Sequence, residues 1–207
     1  MNAPVKPSDV AGATRREVVV AATLASGALL VGCSPGDLLS VGAKSEFGAF
    51  GPFIRIDPNG VVTVVSKHIE FGQGNHAGLA AIVAEELDAD WSKVRVEQAP
   101  AIAKVYANTG MGVQGTGGSS AISNSWDQLR KAGASAKAMF VEAAANKWNA
   151  PAGEITVKDS VVSHAGSSKS ATFAELLPDA AKVTPPTTPT LKDPKTFTLI
   201  GTDRVRR

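Results

Sequence analysis

The pattern of apolar and polar positions predicts strands and a helix in the first half of the chain. Residues 53–66, FIRIDPNGVVTVVS, contain two β-branched runs around the turn sequence DPNG, so they predict a β-hairpin. From Asn75, the predicted helix cap, apolar residues recur at helical spacing as far as Leu87. Residues 93–98, KVRVEQ, alternate as a strand with Val94 and Val96 on one face. The acidic residues near the end of the helix are expected to be solvated: Glu85, Glu86, Asp88 and Asp90.

The second half begins with a glycine-dense loop at residues 107–120, ANTGMGVQGTGGSS. A long helix is predicted next, because seven apolar residues fall on one stripe: Ile122, Trp126, Leu129, Ala136, Phe140, Ala144 and Trp148. Residues 154–165 predict a hairpin that turns at Asp159 and Ser160, and residues 171–181 predict a short helix capped by Thr172. Residues 182–195 are proline-rich and extended, and TFTLIG, residues 196–201, predicts a last strand.

The element order β-β-α-β-loop-α-β-β-α predicts an α+β domain, a two-layer arrangement of short strands and two main helices. We expect this domain to span residues 51–183 and to follow a Gly- and Ser-rich tether at residues 34–50. Residues 184–207 are expected to form a proline-rich linker and the start of a further domain.

The first 33 residues have the layout of an export signal. Arg15 and Arg16 precede an uncharged run at residues 18–32, which is shorter than the ~20 residues of a membrane span. The sequence TRREVVV resembles a twin-arginine signal, which predicts export to the periplasm. LVGC, residues 30–33, resembles a lipobox, which would make Cys33 a lipid anchor to the membrane. Ordinary cleavage after residue 43 is the alternative.

Composition narrows the chemistry. A net charge of +2, with no basic stripe interleaved with aromatic residues, argues against a nucleic-acid partner. One cysteine excludes an internal disulfide framework and a Cys-rich metal site, so any reactive centre is expected in a bound cofactor or another chain. His68, Glu70 and His76 match no zinc spacing, and no metal ligand is predicted. Instead, Glu70 and His76 are expected to order their loop by hydrogen bonds.

Two glycine loops are the candidate binding elements. EFGQG, residues 70–74, joins a predicted strand to a predicted helix, where glycines allow close approach of a ligand and backbone N–H groups favour an anion. The Gln73 amide adds one donor group and one acceptor. The loop at residues 107–120 adds the hydroxyls of Thr116, Ser119 and Ser120. The Gly-Gln-Gly turn is not a Walker loop, since no Gly-Lys-Ser/Thr follows it, and it is not a Gly-x-Gly-x-x-Gly motif.

These motifs resemble a known family. EFGQG and TGGSS, together with FTLIGTDRVRR at residues 197–207, are similar to the N-terminal part of the isoquinoline 1-oxidoreductase beta subunit, over residues 48–207. This subunit belongs to the xanthine dehydrogenase and aldehyde oxidase superfamily of molybdenum hydroxylases. The resemblance implies a molybdopterin-binding fold and a molybdopterin cofactor, held as its cytosine dinucleotide. The residues it implies as cofactor contacts are Gly72, Gln73, Gly74, Thr116, Ser119 and Ser120.

Two departures from the family pattern affect the site. Phe71 stands where the family often has Met, and Ala121 stands where the Thr-x-x-Ser-x-Ser pattern has its last serine. The glutamate that acts as the base in the family lies beyond the matched part, and no residue here corresponds to it. No catalytic residue is therefore predicted, and we expect the chain to be a fragment or one piece of a split subunit.

The resemblance implies an oxidoreductase part that acts on an N-heterocycle or an aldehyde, with water as the oxygen source. The implied partners are the remaining molybdenum-binding domains, an iron–sulfur small subunit and a cytochrome electron acceptor. The alternative function is a non-catalytic exported binding or scaffold lipoprotein with the same fold.

Overall fold

A three-stranded sheet opens the computed structural model, which describes residues 47–205. Its strands are β1 (Ile54–Ile56), β2 (Val62–Ser66) and β3 (Val94–Gln98), in the spatial order β1-β2-β3. β1 and β2 are antiparallel, which confirms the predicted hairpin. β2 and β3 are parallel, with Val62 opposite Val94, so the chain must cross back between them.

The helix α1 (Asn75–Leu87) makes this crossing and is followed by a 3₁₀ turn at Trp91–Lys93. After β3 come one short helical turn, α2 (Ala103–Tyr106), and the long helix α3 (Ala121–Trp148). We name the segment between β2 and α1, residues 67–74, loop A, and residues 107–120 loop B. Each loop therefore leads directly into the N-terminus of a main helix.

A second sheet is built from the next three strands, which pair antiparallel in chain order. They are β4 (Ile155–Lys158), β5 (Val161–His164) and β6 (Lys169–Thr172). The predicted turn at Asp159 and Ser160 is confirmed, and both residues adopt positive φ. The helix α4 (Phe173–Ala180) follows, and Thr172 caps it in a capping box with Glu175, as the sequence predicts. Short 3₁₀ turns lie at Ala152–Glu154, Ala165–Ser167, Pro194–Thr196 and Asp203–Val205.

The α+β class with short strands and two main helices is confirmed. The predicted α1 positions Leu79, Ile82, Val83 and Leu87 are all buried. On the α3 stripe Leu129, Ala136, Phe140 and Ala144 are buried, whereas Ile122 at its start is 40% exposed. A stack of rings joins Phe140 to Phe173, with centroids 4.2 Å apart, and so links α3 to α4.

The two main helices run in parallel and touch closely at Gly133. A Cβ atom on Gly133 would lie 2.8 Å from the carbonyl oxygen of Val83 and 2.8 Å from Glu86 Cβ. Near the N-termini Ile122 meets Gly78, and near the C-terminus of α1 the Lys137 ammonium pairs with Asp88. Since both sets of residue numbers rise together, the N-termini of α1 and α3 lie at the same end.

The prediction of a solvated acidic end on α1 is wrong for Glu85 and Glu86, which are 1% and 2% exposed. The Glu85 carboxylate accepts backbone N–H bonds from Thr198, Leu199 and Ile200 at 2.7–3.1 Å, and the Lys192 ammonium at 2.7 Å. Burial alone would raise the pKa of Glu85, but these donors hold it below its ordinary value.

Glu86 is held by the same C-terminal segment. Its carboxylate pairs with the Arg130 guanidinium of α3 and accepts the backbone N–H of Lys192 at 2.9 Å. Arg130 also lies over the rings of Trp126 and Phe197. Two charged groups that sequence reasoning placed in solvent are therefore the anchors of residues 192–200.

The prediction of a strand at residues 196–201 is also wrong. The backbone N–H groups of Thr198, Leu199 and Ile200 point to the Glu85 carboxylate, so they are not available for a sheet. A 3₁₀ turn at Pro194–Thr196 precedes them, and the Leu199 side chain is 4% exposed.

The predicted export signal, Cys33 and the tether up to residue 46 lie outside the described residues. Among the helices of residues 47–205, none is both long enough and apolar enough for a transmembrane span.

Replacing Gly133 with valine tests the helix contact. Because even a Cβ atom meets backbone at 2.8 Å, we expect Gly133→Val to lower the free energy of unfolding by about 3 kcal/mol. Lys131→Val, an exposed site on the same helix, is the matched control and should change stability by less than ~0.5 kcal/mol. Equal effects of the two variants in denaturant melts would contradict the close packing.

Candidate functional site

The parallel helices bring loops A and B together, and Thr116 joins them. The Thr116 hydroxyl in loop B accepts the backbone N–H of Ile69 in loop A at 2.9 Å. The same oxygen lies 3.4 Å from Nδ1 of His68. The two glycine loops identified from the sequence therefore form one surface at the N-terminal end of both helices.

Gln73 lies within loop A and closes it. Its Oε1 accepts the backbone N–H of Phe71 at 2.8 Å, and its Nε2 donates to the carbonyl oxygen of Ile69 at 2.9 Å. The amide retains a second N–H and a second lone pair for a ligand. The flanking Gly72 and Gly74 adopt φ values of 105° and 79°, which a side chain would strain.

Glu70 occupies the N-terminus of α1. One carboxylate oxygen accepts the N–H groups of Gly72 at 2.7 Å and Gly74 at 2.9 Å, and the other accepts the N–H of His76 at 3.0 Å. The prediction that Asn75 caps α1 is wrong: Gly74 is the N-cap, and the Asn75 amide donates instead to Ile69 O. The prediction that Glu70 orders its loop by hydrogen bonds is confirmed. His76 does so as well, since its Nε2 donates to His68 O at 3.0 Å.

Loop B is organised by the buried Asn108. Its Nδ2 donates to the Ser120 hydroxyl at 3.0 Å, and its Oδ1 accepts the N–H of Gly110 at 3.0 Å. The Ser120 hydroxyl donates to Gly117 O at 2.8 Å, so Ser120 is engaged within the loop. By contrast, Ser119 is exposed at φ 53°, and its hydroxyl bonds to no other group of residues 47–205.

The N-terminus of α3 differs from that of α1. Its N-cap residue, Ser120, makes no side-chain cap bond, and its first turn holds no acidic residue. Helix N-termini carry partial positive charge and attract anions. The carboxylate of Glu70 supplies the anion at α1, whereas no acidic side chain within residues 47–205 lies in the first turn of α3.

Two basic side chains are buried beneath the loops. Lys67 is 4% exposed and donates to Gln128 Oε1 at 3.0 Å; burial lowers its pKa. His68 is fully buried, and burial together with the neighbouring Lys67 lowers its pKa, although a hydrogen bond with the Gly115 backbone opposes this. His68 is therefore neutral at physiological pH.

Buried polar atoms without a partner concentrate at this end of the molecule. Within residues 47–205 they are His68 Nε2, Asn75 Oδ1, Asn124 Oδ1 and Ser125 Oγ. All four belong to loop A or to the first two turns of α1 and α3. A buried polar group left unpaired costs about 1–3 kcal/mol, so these atoms require water or a ligand.

Exposed apolar side chains cluster in the same place. The large hydrophobic residues with exposed surface in the described part of the chain are Ile69, Phe71, Met111, Val113 and Ile122. Each lies in loop A, in loop B or at the start of α3, and Phe71 is 71% exposed. Such clustering marks a surface that another molecule covers.

A shallow cavity adjoins each loop. One, of about 420 Å³, lies between loop A and β3 and is lined by Glu70, Gly72, Gly74, His76 and Arg95 among others. The other, of about 400 Å³, lies beside loop B and is lined by Asn108, Gly117, Gly118, Ser120 and Asn124 among others. Larger cavities exist at the C-terminal halves of α1 and α3, away from both loops. No group of three or more His, Cys, Asp or Glu side chains placed to hold a metal ion occurs within residues 47–205.

Residues 28–203 match the family model of the molybdopterin cofactor-binding domain. The chain belongs to this family. Its two glycine loops and uncapped α3 N-terminus suit a molybdopterin group, whose phosphate requires backbone N–H donors and whose heterocycle requires amide partners. The unpaired atoms of His68, Asn75 and Asn124 add further polar groups beside the loops.

The relatives are much longer than this molybdopterin-binding chain. It is 44% identical over 126 residues to the isoquinoline 1-oxidoreductase subunit beta of Brevundimonas diminuta, covering 60% of this chain and 16% of that protein. It is 36% identical over 132 residues to the membrane-bound aldehyde dehydrogenase (pyrroloquinoline-quinone) of Gluconacetobacter polyoxogenes, covering 63% and 16%. The crystal structure of quinoline 2-oxidoreductase from Pseudomonas putida 86 aligns with TM-score 0.48 and 27% identity, over 63% of this chain and 16% of that one.

The sequence predicted that Glu70 orders its loop, but not that its carboxylate accepts the backbone N–H groups at the start of α1. The signal for Glu70 was present, because a carboxylate four residues before an uncapped glycine N-cap can reach the first helical N–H groups. Asn108 and Asn124 carried no recognisable signal, since their partners Ser120 and Thr109 lie 12 and 15 residues away in sequence.

Replacing Thr116 with valine tests the junction between the loops. Loss of the acceptor for Ile69 N–H should increase opening of loop A about 2- to 10-fold, the equivalent of one hydrogen bond. Amide hydrogen exchange at Ile69 measures it, and Thr156→Val on the exposed edge of β4 is the control. Unchanged exchange at Ile69 would show that the loops are held together in another way.

Proposed function

We propose that this chain holds one side of a molybdopterin cofactor in the large subunit of a molybdenum hydroxylase. The observation that supports this most directly is the hydrogen bond between Thr116 and Ile69, which joins two glycine loops at the paired helix N-termini. Family membership supplies the identity of the ligand. The similarity to a subunit of isoquinoline 1-oxidoreductase supports the class of reaction.

The two loops take different parts of the cofactor in this proposal. Loop B and the first turn of α3 hold the phosphate portion. Among residues 47–205, the first turn of α3 has no acidic residue and the Ser119 hydroxyl has no hydrogen-bond partner. Thr116 and Ser120 position that loop and contribute their remaining hydrogen-bonding capacity. We propose the cytosine dinucleotide as the form that is bound.

Loop A contacts the heterocycle. Gly72, Gln73 and Gly74 form a rigid turn, in which the second N–H and second lone pair of the Gln73 amide face a neutral partner. The exposed side chains of Phe71 and Ile69 lie in the same loop. They exclude water from the Gln73 amide when another domain covers them.

When bound, the cofactor supplies the redox chemistry, the hydroxylation of an N-heterocycle or an aldehyde with oxygen taken from water. This chain binds and orients the cofactor, while the general base comes from the remaining molybdenum-binding domains. The exposed apolar residues around both loops are the surface that those domains cover. Electrons leave through an iron–sulfur subunit to a cytochrome.

Replacing Ser119 with glycine tests the binding role without disturbing the loop. Glycine suits φ 53°, and the serine hydroxyl has no internal bond, so stability should not fall. A lost hydrogen bond to phosphate is worth about 1.5–3 kcal/mol, so the assembled enzyme should retain its cofactor at least about 10-fold less tightly. Molybdenum and pterin content of the complex, co-produced with its other domains, measures this.

Ser168→Gly is the matched control, because Ser168 is also exposed and has φ 54°, but it lies in the turn between β5 and β6 of the second sheet. It should leave cofactor content unchanged. Full molybdenum occupancy in Ser119→Gly would contradict the assignment of loop B. Absence of molybdenum and pterin from the unmodified complex would instead favour the alternative, a non-catalytic exported scaffold lipoprotein of the same fold.

We also propose that the protein is exported to the periplasm by the twin-arginine route and is anchored through a lipid on Cys33. Arg15→Lys with Arg16→Lys should leave it in the cytoplasm, while Arg206→Lys with Arg207→Lys should not. Cell fractionation measures export, and mass spectrometry of the mature N-terminus measures lipidation. Periplasmic delivery of the first variant, or a mature chain that begins at Lys44, would contradict the respective claim.

A further inference from the structure

The N-terminus of α1 looks like an anion site but is already filled. Gly72, Gly74 and His76 direct three backbone N–H groups into one concave position, where the Glu70 carboxylate accepts all of them at 2.7–3.0 Å. The positive φ values of Gly72 and Gly74 create this concavity, the usual geometry of a phosphate nest. In this chain the anion belongs to the protein itself.

A tethered carboxylate has a large advantage over a free anion. Its effective concentration at the nest is in the millimolar range or above, because only a short segment joins Glu70 to the N–H groups. The two oxygens satisfy all three donors, so a phosphate group could enter only by displacing Glu70. The neighbouring Gln73 amide closes the same turn, and displacement would therefore open loop A as well.

We propose that Glu70 is a built-in anion and a positioning residue: it fixes the shape of loop A and excludes phosphate from the N-terminus of α1. Of two parallel helix N-termini that could each attract a phosphate, only that of α3 remains available. Gln73 is thereby presented to an uncharged part of the ligand. The identification of this ligand as a molybdopterin rests on the proposed function. The occupation of the α1 N-terminus by Glu70 does not depend on it.

The lowered pKa of Glu70 agrees with this geometry. The backbone N–H groups of His76, Gly74 and Gly72 lower the pKa of Glu70 to about 2. Since the folded-state pKa lies below the ordinary value, the contribution of Glu70 to loop order is present above about pH 4.5 and is lost as the pH falls toward 2. His76 and Arg95 are the other titratable groups that line the adjacent cavity.

Pyrophosphate binding to the 207-residue chain and its variants tests the proposal. In the unmodified chain, pyrophosphate should leave the backbone amide resonances of Gly72, Gly74 and His76 in place. In Glu70→Ala the nest is vacated, so pyrophosphate should shift those resonances and bind there at least 10-fold more tightly than in the unmodified chain. Glu142→Ala, an exposed site on α3, is the control and should behave as the unmodified chain does.

Glu70→Gln keeps the side-chain length but not the charge, and it provides a second test if Glu70→Ala does not fold. Its amides at Gly72, Gly74 and His76 should exchange faster than in the unmodified chain and should not titrate between pH 4.5 and 2. Pyrophosphate shifts at these amides in the unmodified chain would overturn the proposal. So would unchanged amide exchange in Glu70→Gln. Neither measurement involves molybdenum. Failure of this proposal can therefore be told apart from failure of the proposed function, which would appear as full molybdenum occupancy in Ser119→Gly.

Discussion

The parallel contact between α1 and α3 at Gly133 is the constraint on which the candidate site depends. The absence of a side chain at Gly133 lets the backbone of α3 approach Val83 and Glu86 of α1. Along this contact the helices share a direction, so loop A and loop B emerge at one end. Antiparallel packing of the same two helices would separate the loops by the length of α1, about 20 Å for its 13 residues.

The other end of α1 holds a different kind of contact. Glu85 and Glu86 are buried there and receive the backbone of residues 192–200, together with Lys192 and Arg130. A buried carboxylate is stable only when each of its oxygens is well supplied with donors, and both residues meet that condition. The helix α1 thus connects loop A at its N-terminus to residues 192–200 at its C-terminus.

Much of the architecture was predictable because it rests on local signals. The DPNG turn, the apolar stripe of α3 and the Thr172 cap each depend on residues close in sequence, and each is confirmed. The failures involve distant partners. Nothing near Glu85 indicates that residues 198–200 will supply its donors, so its burial could not be inferred from its position at a helix end.

At the candidate site, the two loops singled out from the sequence meet in the structure, but the contacts that Gln73 makes within loop A were not predicted. The Gln73 amide was expected to offer its donor and acceptor to a ligand, whereas it first bonds to the backbone of its own loop. A glycine-rich turn before a helix indicates a site for an anion without telling whose anion occupies it. In loop A that anion is Glu70, and this distinction becomes visible only when the positions of the N–H groups are known.

A hydrogen-exchange footprint of the cofactor would test the central claim most directly. The measurement compares the assembled enzyme with and without bound molybdopterin, and follows exchange along this chain. We expect added protection in both loops, residues 67–74 and 107–120, and in the first turn of α3, with little change in the second sheet. Protection confined to one loop, or absent from both, would contradict a single binding surface formed by the paired helix N-termini.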